Sequence, residues 1–131
     1  MEECQLCKLE LVPSQRIIFE NESCLFLQLD EASEKGITLE GAGIIVPKNH
    51  RETVFDLTPQ EWTDTFDLVK TAKAYIDQLH QPSGYNIGWN CGEVAGQHLF
   101  HAHLHILPRY ENEKLNGKGI RHLFKQRNNR E

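Results

Sequence analysis

Hydrophobic and polar residues alternate in several short runs of the chain, and in one long run the hydrophobic residues recur at helical spacing. Alternation with a period of two is typical of a strand with one buried face. Turn residues separate the short runs. The pattern predicts an α+β fold with an antiparallel sheet of about five strands, one long helix and a short helix. The predicted strands are Arg16–Glu20, Cys24–Leu29, Gly43–Pro47, Tyr85–Trp89 and His103–Pro108.

The long helix has clear signals at both ends. Thr58 is a suitable N-cap, Pro59 fits the first helical position, and Glu61 completes a capping box. The helix should end near His80, because Pro82 cannot continue it. Hydrophobic residues at helical spacing predict one buried face, consisting of Trp62, Phe66, Val69, Ala72 (or Lys73) and Ile76.

Length and composition limit the class of protein. The chain has 131 residues, of which 39% are hydrophobic, enough for one compact core and without a run long enough to span a membrane. The N-terminus is acidic and has no apolar signal region, so we expect a cytoplasmic protein whose four cysteines are reduced or metal-bound. A net charge of -5 argues against broad nucleic-acid binding.

Charge divides the chain into a domain at residues 1–110 and a basic tail at residues 111–131. The tail holds six basic residues against three acidic ones. It is either a solvated end or a flap that helps to hold a phosphate-bearing ligand or docks on a partner subunit. The polar loop at residues 31–41 has no assigned role. The basic residues of the tail are Lys114, Lys118, Arg121, Lys125, Arg127 and Arg130.

Three histidines occupy alternating positions in the last predicted strand. His101, His103 and His105 should therefore share one strand face, about 6.6 Å apart, with Ala102, Leu104 and Ile106 on the other. Imidazole can act as nucleophile, acid, base or metal ligand near neutral pH. The alternatives are a solvated, histidine-rich face and one metal bound by all three rings, which the length of the strand would strain.

The run of residues 96–109, GQHLFHAHLHILPR, resembles the defining motif of the histidine triad superfamily of nucleotidyl hydrolases and transferases. Weaker similarity extends to Asp30 after the second strand, the run at residues 44–50 and the Asn-Cys-Gly loop at residues 90–92. The resemblance implies that His103 attacks the α-phosphorus of a nucleotide and forms a covalent nucleotidyl-histidine. His105 would then line the phosphate or steady the proton of the leaving group.

Cys4 and Cys7 form a Cys-x-x-Cys pair close to the N-terminus. By itself the pair could be a redox site, two thiols without a role, or half of a tetrahedral zinc site. Zinc-containing members of the superfamily, including the uridylyltransferase branch, use such a pair with two histidines. The resemblance therefore implies a structural zinc on Cys4, Cys7, His50 and His101.

The remaining site residues also follow from the resemblance. Asp30 would accept the ribose hydroxyls, and the loop around Gly96 would supply backbone N–H donors to a phosphate. Asn90 and Gln97 would contact the phosphate or leaving group, where His98 replaces the Ser or Thr of many members. An apolar slot for the base would be lined by Leu6, Phe26 and Leu29 or their neighbours.

The expected substrate is a purine nucleotide joined to a leaving group at its α-phosphate. Dinucleoside polyphosphates, aminoacyl-adenylates and adenosine phosphoramidates all present this phosphate. Family members of this size form homodimers, and we expect the same here. The alternatives are a nucleotide-binding adaptor with little turnover and a structural zinc protein without a catalytic site.

Overall fold

The computed structural model describes residues 3–33 and 39–125 of the chain. Within these residues, five strands form one antiparallel sheet in the order β1-β2-β3-β5-β4, and one α-helix, α1, lies between β3 and β4 in the sequence. The last strand in the sequence therefore lies between the third and fourth strands, and the triad motif lies inside the sheet rather than at its edge. The elements are β1 Gln15–Glu20, β2 Cys24–Leu29, β3 Gly43–Pro47, α1 Pro59–His80, β4 Gly84–Trp89 and β5 Leu104–Arg109.

The predicted fold class is confirmed, and the predicted strand limits agree with the structure to within one residue. In the described part of the chain, 3₁₀ turns of three to six residues take the place of the predicted short helix. One difference affects the site. The last strand begins at Leu104 rather than at His103, so two of the three triad histidines precede it.

Helix α1 begins and ends where the sequence predicts. The Thr58 side chain accepts a hydrogen bond from the Glu61 backbone N–H, and the Glu61 carboxylate accepts one from the Thr58 N–H. At the other end Gln81 adopts a left-handed conformation, with φ of 55°. The helix packs across one face of the sheet in a core formed by Cys24, Phe26, Ile45, Leu68, Ala72, Ile76, Leu104 and Ile106.

The predicted buried face of α1 is wrong at its N-terminal half. Trp62 and Phe66 are 55% and 59% exposed, whereas Glu61, Asp64 and Thr65 are buried. These polar side chains can be buried because each has a hydrogen-bond partner, such as the Glu61 carbonyl that accepts from Thr65 Oγ1 at 2.7 Å. The prediction assigned Trp62 and Phe66 to the core because they are large and apolar. In the structure, the N-terminal half of the helix buries the residues one position earlier, Glu61 and Thr65.

The opposite face of the sheet carries a smaller core. Leu6, Leu27 and Val46 are buried there, so the N-terminal segment packs over the sheet on the side away from α1. Phe26 lies in the core under α1, because neighbouring strand residues point to opposite faces. Leu6 and Phe26 therefore cannot line one base slot, and that expectation is wrong for Phe26.

Two of the predicted features lie partly outside the described residues. Positions 34–38 of the polar loop are not described, and neither are the side chains of Lys125, Arg127 and Arg130 in the basic tail. Among the residues that are described, no helix is both long enough and apolar enough to cross a membrane.

Candidate active site

The imidazole of His103 is held by a backbone carbonyl. Its Nδ1 atom lies 2.8 Å from the carbonyl oxygen of His101. A carbonyl can only accept, so Nδ1 carries the proton and Nε2 keeps its lone pair. The hydrogen bond thus fixes both the tautomer and the direction of the ring, as a nucleophilic imidazole requires.

His105 is next to His103 on the same side of the sheet. The two rings have centroids 4.9 Å apart and meet at 66°. The Nε2 atom of His105 is buried and has no hydrogen-bond partner among the described residues. Burial lowers the pKa of His105, and the neighbouring His103 lowers it further, so the ring is neutral near pH 7. A buried ring nitrogen without a partner among the described residues, next to the His103 ring, is a candidate position for a ligand atom.

His101 does not share this arrangement, and the expectation of three stacked imidazoles is wrong. The ring is fully buried, and its Nε2 donates to the Pro47 carbonyl oxygen at 2.8 Å. Its nearest imidazole is His50, with centroids 5.0 Å apart. The reason is that residues 101–103 precede β5, so strand alternation does not orient them. The triad is thus divided: His103 and His105 form a pair, and His101 is buried separately against Pro47.

Cys4, Cys7, His50 and His101 come together as the resemblance to zinc-containing members of the superfamily implies. One potential ligand atom from each lies within 4.8 Å of the others. The Sγ of Cys7 is 3.2 Å from Nδ1 of His50 and 3.4 Å from Nδ1 of His101. Two thiols and two imidazoles are a suitable donor set for tetrahedral zinc. The described residues can therefore hold a metal ion.

The second contact of His101 supports this fit. Imidazoles that bind metals usually donate their other N–H to a carbonyl or carboxylate, and here Nε2 donates to Pro47. Burial raises the pKa of the Cys7 thiol, and the neighbouring Cys4 raises it further. A metal ion must displace this proton, so binding depends on pH.

The loop between β4 and β5 is closed by the buried side chain of Gln97. Its Oε1 accepts from the Gly92 N–H at 2.8 Å, and its Nε2 donates to the carbonyls of Glu52 and Leu99 at 2.7 and 3.0 Å. Both amide hydrogens are thus used within the protein. A contact between Gln97 and a leaving group would require one of these bonds to break.

Other predicted ligand contacts lie at the edges of the loop and the sheet. Gly96 has a φ of 99°, and an added Cβ would be 3.4 Å from the Asn90 amide nitrogen, so these two residues are neighbours. His98 is exposed. Asp30 follows β2 and forms a 2.7 Å ion pair with Arg16, two strands away from β5. The structure thus brings His103 and His105 together directly, and Asp30 stands further across the sheet.

Sequence reasoning missed an ion pair that joins α1 to the triad segment. Nε of Arg51 is 3.0 Å from Glu61, and the Arg51 carbonyl accepts from the Ala102 N–H at 2.6 Å. Burial by itself would raise the pKa of Glu61, but the bonds from Arg51 and Thr58 outweigh it and the pKa is lowered. Glu61 was identified only as part of a capping box, because nothing local in the sequence pairs it with Arg51.

Known proteins share this fold and much of the sequence. A HIT domain family model matches residues 10–112. "Protein hit" of Bacillus subtilis is 37% identical over 112 residues, which cover 83% of this chain and 72% of that protein. The crystal structure of a HIT family protein from Bacillus anthracis is 31% identical, covers 85% of this chain and 76% of that one, and has a TM-score of 0.71.

Two relatives carry the names of enzymes. Adenosine 5'-monophosphoramidase HNT1 of Saccharomyces cerevisiae is 30% identical over 106 residues, which cover 81% of this chain and 60% of that protein. Bis(5'-nucleosyl)-tetraphosphatase [asymmetrical] of Schizosaccharomyces pombe is 38% identical over 71 residues, 54% of this chain and 39% of that protein. Since the family model matches most of its length, the chain belongs to the HIT-domain family.

Proposed function

We propose that this protein is a nucleotide hydrolase or nucleotidyl transferase that cleaves at the α-phosphate of a nucleoside 5'-phosphate derivative. Two relatives named for hydrolysis of a dinucleoside tetraphosphate and an adenosine phosphoramidate support this class of reaction. The observation that carries the proposal is the hydrogen bond from Nδ1 of His103 to the His101 carbonyl. It prepares Nε2 for attack on phosphorus.

In the proposed reaction, Nε2 of His103 forms a bond to the α-phosphorus while the bond to the leaving group breaks. A nucleotidyl-histidine results, and water then attacks the same phosphorus and releases the nucleotide and free His103. The His101 carbonyl stabilises the positive charge that develops on the substituted ring, because it accepts the Nδ1 proton throughout. One difficult displacement becomes two easier ones.

His105 assists in both steps. Its ring lies against that of His103, and its Nε2, which has no partner among the described residues, is the proposed contact for a phosphate oxygen or the departing atom. Because burial favours its neutral form, His105 can donate from one nitrogen without carrying a charge. Backbone N–H groups near Gly96, together with Asn90 and His98, are the proposed contacts for the phosphate oxygens, and Asp30 is the proposed contact for the ribose.

The test of this proposal is a covalent adduct on His103. Wild-type protein is mixed rapidly with an adenosine phosphoramidate, quenched, and analysed by mass spectrometry for an adenylyl group on a tryptic peptide. We expect the group on His103 in the wild type and no adduct in folded His103→Asn. A folded wild type that binds the nucleotide but never forms the adduct would favour the adaptor function.

We also propose that Cys4, Cys7, His50 and His101 hold one structural zinc ion. The zinc would join the N-terminal segment to His50 after β3 and to His101 before β5, because its ligands come from three separate segments. When bound, it supplies a fixed position for the His101 ring, and the His101 backbone holds His103. Metal binding should therefore contribute to folding.

Zinc content of protein purified without chelators checks this proposal. The wild type should contain one zinc per chain, Cys7→Ser should lose it, and Cys91→Ser should retain it. Cys91 is a matched control since it is a partly buried thiol outside the cluster. Zinc retained in Cys7→Ser, or absent from the wild type, would contradict the assignment.

We further propose a homodimer that forms through β4 and the neighbouring side of α1. β4 is an edge strand of the described sheet, and Trp62, Phe66 and Ile87 are 55%, 59% and 40% exposed on this side of the molecule. Trp62 stacks on Trp89 with centroids 6.2 Å apart, which links the helix to the edge strand. Pairing of two copies would cover both the apolar side chains and the strand edge.

Light scattering of two matched variants distinguishes this interface from general surface hydrophobicity. Phe66→Glu should shift the mass toward that of the 15.1 kDa monomer. Ile17→Glu should not, although Ile17 is 49% exposed, because it lies on β1 at the other edge of the sheet. A monomeric wild type at micromolar concentration would contradict the proposal.

A further inference from the structure

A cavity of about 350 Å³ lies between the start of β4 and the segment that follows β5, and it opens to solvent. Its walls include Gly84 and Asn86 on β4, Arg109 at the end of β5, and the following segment at positions 110, 111, 113 and 116–119. The volume is at the lower end of the range for ligand pockets. None of these residues belongs to the triad or to the metal cluster.

The cavity is on the same face of the sheet as the triad. His105, Leu107 and Arg109 alternate along β5, so their side chains point to one side. Directly paired residues of antiparallel strands also share a face, which places Gly88 beside His105 and Gly84 beside Arg109. His105 and Arg109 are four residues apart, or about 13 Å along the strand.

Between the triad and the cavity, β4 presents almost no bulk. The residues of β4 on this face are Gly84, Asn86 and Gly88, and Asn90 follows in the same alternation. A Cβ added at Gly84 or Gly88 would meet no other atom within 4 Å. β4 thus leaves free space above Gly88 and Gly84, beside the Leu107 side chain of β5.

The outer wall is fixed by the side chain of Arg109. The guanidinium donates to Glu113 and to Asn86, and to the carbonyls of Leu115 and Lys118 at 2.7 Å each. With these four acceptors in place, Arg109 holds the segment over the sheet and has only one of its five N–H donors left. An added Cβ at Gly119 would be 3.5 Å from Nδ2 of Asn86, so the wall lies directly above that amide.

One donor in the cavity is unused. Oδ1 of Asn86 accepts from Arg109, while Nδ2 donates to no protein group that the structure describes. The charged lining residues are Glu111 and Glu113 against Arg109 and Lys118, and Arg109 already pairs with Glu113, so the cavity has no excess of positive charge for an anion. A neutral group with hydrogen-bond acceptors, such as a nucleobase with its sugar, fits this chemistry better than a phosphate.

We infer that this cavity binds the nucleoside end of the leaving group when the substrate is a dinucleoside polyphosphate. The inference rests on the proposed function and adds a second subsite to it. The α-phosphate lies at His103, the remaining phosphates pass over Gly88, and the second nucleoside reaches Asn86. Substrates with a small leaving group do not use the subsite, so residues there set the preference between leaving groups without taking part in the chemistry.

The experiment compares kcat/KM for diadenosine tetraphosphate and adenosine 5'-phosphoramidate in four proteins. Asn86→Asp keeps the acceptor for Arg109 and removes the free donor, and Gly84→Val fills the cavity without a change of charge. Lys114→Ala is the control for charge, because it makes the chain more negative by one unit, as Asn86→Asp does, at an exposed position outside the cavity lining.

We expect Asn86→Asp and Gly84→Val each to lower kcat/KM about tenfold on the dinucleotide, the effect of one lost hydrogen bond or a blocked subsite. Both should remain within about twofold of wild type on the phosphoramidate, which also shows that they fold. Lys114→Ala should not change kcat/KM for either substrate by more than about twofold.

Equal effects on both substrates, or no effect on the dinucleotide, would overturn the subsite. A wild type that cleaves the phosphoramidate but not the dinucleotide would also overturn it while leaving the proposed function intact. Failure of the proposed function itself looks different, since the wild type would then cleave neither substrate and form no adduct on His103.

Discussion

The two faces of the sheet are built from different kinds of contact. On the face under α1, residues such as Phe26, Ile45 and Ile106 are at most 1% exposed and pack against apolar neighbours. On the other face, the side chains near the triad are held by hydrogen bonds to backbone carbonyls, as His101 is by Pro47 and His103 by His101. The face under α1 is stabilised mainly by the burial of apolar side chains. On the other face, directional hydrogen bonds fix the orientation of the His101 and His103 rings.

The difference shows how one small domain separates stability from chemistry. Apolar packing is non-directional and tolerates any side chain of suitable size. A nucleophile needs a defined tautomer and ring orientation, which only a hydrogen bond supplies. Substitutions on the face under α1 should therefore change stability and leave the rate of the folded protein unchanged, while substitutions of His103 and His105 should do the reverse.

The largest expected effect is on the triad face. His103→Asn should lower kcat by more than about 10³-fold, because binding and charge stabilisation cannot replace the attacking nitrogen. Stability should change little, since His103 is only half-buried. Steady-state turnover of an adenosine phosphoramidate and thermal unfolding measure the two quantities. A folded His103→Asn protein with near wild-type kcat would rule out the covalent mechanism.

The next largest effect is expected on the stability of the core under α1. Phe26→Ala should reduce the free energy of unfolding by about 3–5 kcal/mol, because it removes a fully buried ring from the core under α1. Denaturant unfolding measures the loss. At a temperature where the variant is folded, its kcat should stay close to that of the wild type. A large loss of kcat in the folded variant would mean that the two faces are coupled.

Glu61→Gln tests the ion pair that connects the two faces. Arg51 and Thr58 hold the pKa of Glu61 below its usual value, so the ionised carboxylate stabilises the fold above that value. The contribution is lost as pH falls through the lowered pKa of the folded state. Gln keeps the capping box but not the charge, and we expect a loss of about 1.5–3 kcal/mol at pH 7.

Unfolding of both proteins from pH 7 down to pH 3 checks this assignment. The difference in stability between wild type and Glu61→Gln should be constant near neutral pH and shrink only on the acid side. A difference that does not depend on pH would show that Arg51 makes no net electrostatic contribution.

The smallest expected effect concerns the start of α1. Thr58→Ala removes the side-chain cap that accepts from the Glu61 N–H at 3.1 Å, and should cost about 1 kcal/mol of stability. Thr58→Ser retains the hydroxyl and should recover most of the loss. Denaturant unfolding of the pair measures both values, and equal stability of Ala and Ser variants would contradict the cap.

Local signals in the sequence were enough for the secondary structure. Alternation placed the strands, and Thr58, Pro59 and Pro82 placed the limits of α1, because caps and prolines act within a few residues. The family motif placed His103 and His105 in one site and brought Cys4, Cys7, His50 and His101 together. The positions of these residues in the structure agree with that prediction, and their roles in the reaction stay predictions.

Other features were decided only when distant segments met. Trp62 and Phe66 have the hydrophobicity of core residues, but α1 instead buries Thr65 and Asp64. The Thr65 hydroxyl lies 3.4 Å from the Cys24 thiol of β2, and the Asn21 side chain donates to the Asp64 carbonyl. His101 departs from the strand pattern because β5 starts after it. Its ring is oriented by contacts with the Pro47 carbonyl and with the thiols of Cys4 and Cys7.

The wall above Asn86 likewise depends on Arg109, whose acceptors lie as far away as Lys118 and Asn86. The sequence by itself determined the elements and the chemical groups, because propensity, capping and motif are local properties. The tertiary structure decided which groups are buried, how the His101 ring is oriented and where a second subsite can form, because each of these depends on contacts between segments that are remote in the chain.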